Sequence, residues 1–162
     1  MSLTPAQNAT LKAAINASPT LSAYPNTTDG NQNMCNERLN LNYAPTFTVW
    51  KNTVSITDTG ETFDGTEWAD LTTANIDRLT NMALWLPAGY NPSKFDIREM
   101  FDDIWSGAAG TVTRPKLLAL WKRAALWGEK ILAIGTGTDA VPATMGYVGT
   151  LAGVDVQTAR NS

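Results

Sequence analysis

The chain has 162 residues, of which 12 are basic and 15 acidic, for a net charge of −3, and 43% of it is apolar. That is long enough to bury a self-supporting core, and too acidic to coat nucleic acid through charge. With no histidine and a single cysteine, Ser-His-Asp and Cys-His catalysis, histidine-ligated metals, thiolate zinc and an internal disulfide framework are all excluded.

No run approaches the ~20 apolar residues that a membrane helix needs. The opening Met1-Ser2-Leu3-Thr4-Pro5 lacks the basic-then-apolar pattern of a signal peptide, so a cytoplasmic origin is expected. Cys35 is then a free thiol, or the donor of a disulfide between chains.

The first predicted helix covers residues 5–17. Thr4 serves as N-cap, Pro5 suits the first helical position, and Gln7 completes a capping box. Leu11 and Ile15 are its only large apolar residues. Residues 19–46 are rich in turn formers, with a short helix over about 32–40 and Met34, Arg38 and Leu41 at helical spacing. Residues 46–56 are β-branched and aromatic with rough alternation, the pattern of a strand or extended arm. Residues 58–70 hold five acids and no base: Asp58, Glu61, Asp64, Glu67 and Asp70.

Three helices follow. Ile76, Leu79, Met82, Ala83 and Leu86 mark a buried stripe over 73–86. Asn91 and Pro92 open a helix over 92–106 that Gly107 closes, with Arg98 and Asp102 paired at i, i+4. The longest runs over 114–134, on a stripe from Leu117 and Trp121 to Ile131 and Ile134. Its Lys116, Arg123 and Lys130 recur every seven residues, on one exposed face. Residues 135–153 are glycine-rich, and a turn of helix is expected near 155–160. Together these predict a mainly α protein with little β. Its parts are an N-terminal helix and extended arm (1–57), a helical body (58–134) and a C-terminal arm (135–162).

Two short motifs suggest chemistry and lack its context. Asp58-Thr59-Gly60 matches the aspartic-protease triplet, but that fold is all β, whereas the strongest patterns here are helical. Gly135-Thr136-Gly137-Thr138 follows a helix, where a dinucleotide loop would follow a strand. The acids of 58–70 lack the spacing of an EF-hand. No catalytic residue, metal or cofactor is expected. Segregated charge points instead to self-association. The acidic strip Asp58, Glu61, Asp64, Glu67 and Asp70 of one subunit would meet Lys116, Arg123 and Lys130 of the next, with Trp127 supplying apolar contact. Trp105 and Trp121 read as core, and Trp85 and Trp127 as stripe edges suited to an interface.

Several segments resemble small structural proteins of tailed bacteriophages: residues 47–54, 91–107 and 117–123, Gly135-Thr136-Gly137-Thr138, Pro142-Ala143-Thr144, and 155–160. The nearest likeness is to the head-to-tail adaptors of the virion neck. That resemblance implies a non-enzymatic subunit of a twelve-fold ring, bound to the portal and tail-proximal neck proteins, assembled in the host cytoplasm, with DNA passing through its lumen. It also implies a terminal arm on the portal, here Met145, Tyr147, Val148 and Arg160. A capsid decoration or tail-terminator protein is the alternative, and an aspartic-protease-like enzyme using Asp58 a distant one.

Overall fold

The computed structural model describes residues 2–42 and 46–162, with the backbone alone at 108 and 109. Residues 43–45, at the end of the expected turn-rich stretch, lie outside the described residues. In chain order the elements are α1 (Pro5–Ala17), α2 (Pro19–Ser22), α3 (Thr28–Met34) with a π-helical turn (Cys35–Leu39), β1 (Thr48–Trp50), α4 (Ile56–Gly60), α5 (Gly65–Ala69), α6 (Thr73–Trp85), α7 (Phe95–Ile104), a 3-10 turn (Gly107–Gly110), α8 (Thr113–Trp121), β2 (Lys122–Ala124), α9 (Trp127–Leu132) and α10 (Gly153–Asn161). The protein is mainly α, and β1 and β2 form one two-stranded sheet.

The chain folds as two compact units, Met1–Val49 with Ala124–Ser162, and Trp50–Arg123. This replaces the expected division at residues 57 and 134, because the two expected arms fold together. Leu11 and Ile15 of α1, Met34 of α3, Cys35 and Leu39 share one core with Val156 and Ala159 of α10. Neither segment holds enough apolar surface to order alone, and the combined core supplies what each lacks. The asparagines and glutamines of the first segment tie down the second. Asn40 Nδ2 donates to the Leu151 carbonyl at 2.9 Å, and the Leu151 N–H donates to Asn40 Oδ1 at 2.8 Å. The Gly153 N–H donates to Gln32 Oε1 at 3.0 Å. Gly153 also lets α10 approach α3, since a Cβ there would lie 2.9 Å from the Gln32 backbone nitrogen.

α1 has the expected ends and the expected Thr4/Gln7 capping box. α6 starts at the expected Thr73, with Thr72 as its cap. α7 begins at Phe95, three residues late. Asn91 accepts from the Ser93 N–H in a turn instead of capping the helix.

The long helix expected over 114–134 is broken. α8 ends at Trp121, Lys122 turns extended at φ −104° and ψ 155°, and the Trp121 carbonyl accepts from the Lys51 N–H at 2.7 Å. The apolar stripe is continuous in sequence but serves two cores. Leu117 and Trp121 pack in the second unit, and Leu132 and Ile131 in the first.

The second unit is built around Trp105, Trp121, Phe101, Ile104 and Leu117, all at most 1% exposed. Phe101 and Trp121 meet edge-on at 5.4 Å, and Tyr90 packs on both. A buried polar chain crosses this core. The Trp121 indole N–H donates to the Tyr90 hydroxyl at 2.9 Å, and the Tyr90 and Thr59 hydroxyls are 2.7 Å apart. Thr59 spends its one proton on the Ser55 carbonyl at 2.7 Å, so Tyr90 donates to Thr59.

Candidate functional site

The acidic segment 58–70 does not form one exposed strip. Asp64 caps α5, accepting from the Thr66 and Glu67 N–H groups at 3.0 and 3.2 Å. Glu67 is buried, and its carboxylate holds the start of α8. Oε1 accepts from the Thr111 hydroxyl at 2.9 Å and the Val112 N–H at 2.7 Å, and Oε2 from the Thr113 N–H at 2.8 Å. An anion there meets otherwise unpaired helix-start donors and the positive end of the helix dipole. Desolvation pushes the carboxyl up, but the Thr113, Val112 and Thr111 donors outweigh it and hold its pKa at about 2. Asp58, Glu61 and Asp70 remain exposed.

The basic stripe is not a stripe. Seven-residue spacing aligns side chains only along an unbroken helix. Lys116 lies on α8, Arg123 in β2 and Lys130 on α9, in two different units. Lys130 sits 5.6 Å from the Phe47 ring centroid, and Trp127 packs half-buried against the core of the first unit. The expected Arg98–Asp102 pair is also replaced. Asp102 pairs with Arg114 at 2.6 Å, and the Arg98 guanidinium lies 4.2 Å over the Trp50 ring while donating to the Pro92 carbonyl at 2.5 Å.

Two of the four expected portal-binding residues belong to the first unit's interior, and Arg160 is half-buried. Met145 is buried with Val49, Ala125 and Ala143. Tyr147 is buried in the main core, its hydroxyl donating to the Thr150 carbonyl at 3.0 Å. Arg160 donates to Asn31 Oδ1 at 2.8 Å and to the Tyr24 carbonyl at 2.9 Å. Of the four, Val148 alone is exposed, at 53%.

Asp58-Thr59-Gly60 lies within α4, where Thr59 is buried and bonded as above. A helix cannot present Asp58 on the strand-to-loop turn that an aspartic-protease dyad requires. Cys35 is fully buried as a free thiol. Burial, then the charge of Asp155, pushes that thiol up to about 11.

Two further features belong to the second unit. Leu84 and Trp85, at the end of α6, are 72% and 81% exposed. Beside them an apolar groove of about 290 Å³ is lined by Ile56, Phe63, Trp68, Leu79, Met82 and Phe101, among others. Phe63 and Trp68 stack at 5.5 Å on one side of it. Trp85 was legible as a stripe-edge residue. The groove was not, because its lining comes from three short segments with no shared periodicity.

Comparison with protein-family models, curated proteins and solved structures finds no match to this chain. No described helix is long and apolar enough to cross a membrane.

Proposed function

We propose that the protein is a non-catalytic structural subunit of a tailed-phage virion, an adaptor that assembles as a ring in the neck between portal and tail. The observation that carries this reading is the exposed Leu84–Trp85 pair on an ordered helix. Adjacent large apolar side chains in water mark a surface meant to be covered, and tryptophan is the residue most enriched at the centre of such contacts. The mainly helical fold and the sequence resemblance supply the class of assembly. Portal and tail-proximal proteins are then its neighbours, and DNA passes the lumen without being read.

The test is localisation in purified particles. Gold-labelled antibody against this chain, applied to tailed particles from cells that produce it, is expected at the head-tail junction in electron micrographs. Label over the whole capsid shell overturns the adaptor reading in favour of decoration. Label one step lower, at the tail end of the neck, favours a terminator. Particles without the protein remove the virion assignment.

A further inference from the structure

We infer that the aromatic groove of the second unit is the seat for the Arg78–Trp85 face of α6 from a second copy of this chain. The inference rests on the ring reading for what the contact builds.

The groove is small, about 290 Å³, at the lower limit of cavities that take drug-sized ligands. It suits one large side chain, and an aromatic side chain buries ~150–250 Å² when seated. Its surroundings are acidic on balance, since Asp77 and Arg78 beside the lining residue Leu79 offset one another. Exposed Asp58 and Glu61 flank the lining residues Thr59, Gly60 and Phe63 in sequence, and residues 58–70 contain no base. The occupant that fits pairs a projecting aromatic with a cation.

α6 carries that pair. Arg78 and Trp85 are exposed and seven residues apart on an unbroken helix, so they lie on one face with about 10 Å of rise between them. Leu79, Met82 and Ala83 of the same helix line the groove, centred roughly a third of a turn away. Groove and projecting face are thus different surfaces of one unit. Where two copies do not exchange this contact reciprocally, it runs head to tail, and its repetition closes into a ring or extends as a filament. Arg78 meeting Asp58 and Glu61 sets the register, while the Trp85 indole supplies the apolar contact.

Sedimentation velocity of the full chain over a concentration series tests this. The wild type is expected to associate as concentration rises. Trp85→Ala, which removes the projecting side chain, and Ala83→Arg, which fills the groove from an exposed wall position, should each weaken association tenfold or more. Both should keep the wild-type circular dichroism. Mixed together, the two variants should form a 1:1 pair and nothing larger, because one copy retains only its groove and the other only its projecting face. Arg78→Glu should weaken association, and adding Glu61→Arg should recover part of it. A wild type that stays monomeric throughout overturns the contact, as does Trp85→Ala associating normally or a mixture that stays monomeric. If Trp85→Ala still enters the particle neck at wild-type levels, this contact falls and the neck assignment stands. If the protein is absent from particles, the neck assignment falls and sedimentation alone judges the contact.

Discussion

Glu67 is the residue at which sequence and structure diverge most in meaning. Within a run of five acids it reads as one more solvated charge, yet it is 6% exposed and accepts three hydrogen bonds from the start of α8. Nothing within residues 58–70 distinguishes it, because its donors lie about 45 residues away in sequence. Its depressed pKa of about 2 has a signed consequence. The unfolded carboxyl titrates near ~4.3, so the stabilisation is complete above that value and lost as pH falls towards 2. Urea midpoints measured from pH 6 down to pH 2.5 should fall for the wild type. Glu67→Gln should be less stable at pH 6 and show a flatter dependence below pH 4.5. An unchanged slope would place the acid sensitivity elsewhere.

Cys35 illustrates the opposite case at the same scale. The count of one cysteine left a free thiol and an inter-chain disulfide both open, and burial decides between them. Its thiol, held at about 11 and fully enclosed, offers neither thiolate nor access. The native protein should react with an aromatic disulfide reagent only at the rate of unfolding, and at once in denaturant. Prompt reaction of the folded protein would mean that the core around α3 opens locally.

Helix starts were legible only where nothing overrides the local signal, for Asn91 and Pro92 mark a start that the fold delays to Phe95. α1 and α6 carry their own caps, so their starts follow from Thr4 and Thr72. The 114–134 stretch shows the limit. Periodicity records that a residue faces some core, not which one, and a stripe shared by two cores looks the same as one long helix. Gly128 was the visible warning, since a glycine inside a helical pattern weakens that assignment. In the fold it sits against Leu151 and the Leu39 carbonyl. A second glycine tests the packing of an element directly. Alanine in the first turn of a helix ordinarily stabilises by ~0.4–1 kcal/mol through the unfolded chain. At Gly153 the new methyl would lie 2.9 Å from the Gln32 backbone, which cannot swing away as a side chain could. Gly153→Ala should therefore destabilise the protein by about 1–3 kcal/mol, the usual cost of overpacking, measured by chemical denaturation. A gain in stability would show that α10 does not pack closely on α3.

At the scale of the molecule, the sequence made the mainly α class plain and concealed the pairing of its ends. Residues 1–57 read as a helix and extended arm because only Leu11 and Ile15 stand out in the first helix, and 135–162 as an arm because of its glycines. Neither segment's own apolar content announces a core, whereas the first core is assembled from both. Deleting residues 153–162 separates the two pictures. If the C-terminal segment were a loose arm, its loss would leave the rest of the fold unchanged. With α10 packed on α1 and α3, the deletion removes Val156 and Ala159 and uncovers Leu11, Ile15 and Met34. At ~1.5–3 kcal/mol for each large apolar side chain returned to water, that loss matches the 5–15 kcal/mol stability of an ordinary domain. The first unit should then unfold while the second keeps its own core of Trp105, Trp121, Phe101 and Tyr90. The tryptophans report on the units separately, since Trp127 alone belongs to the first and Trp50, Trp68, Trp85, Trp105 and Trp121 to the second. In a Trp127→Phe background the truncated protein should lose a large part of its helical circular dichroism yet keep the blue-shifted emission of buried indoles. Its denaturation by emission should still be cooperative. Loss of both signals together would mean that the second unit cannot fold without the first, and retention of both would restore the arm.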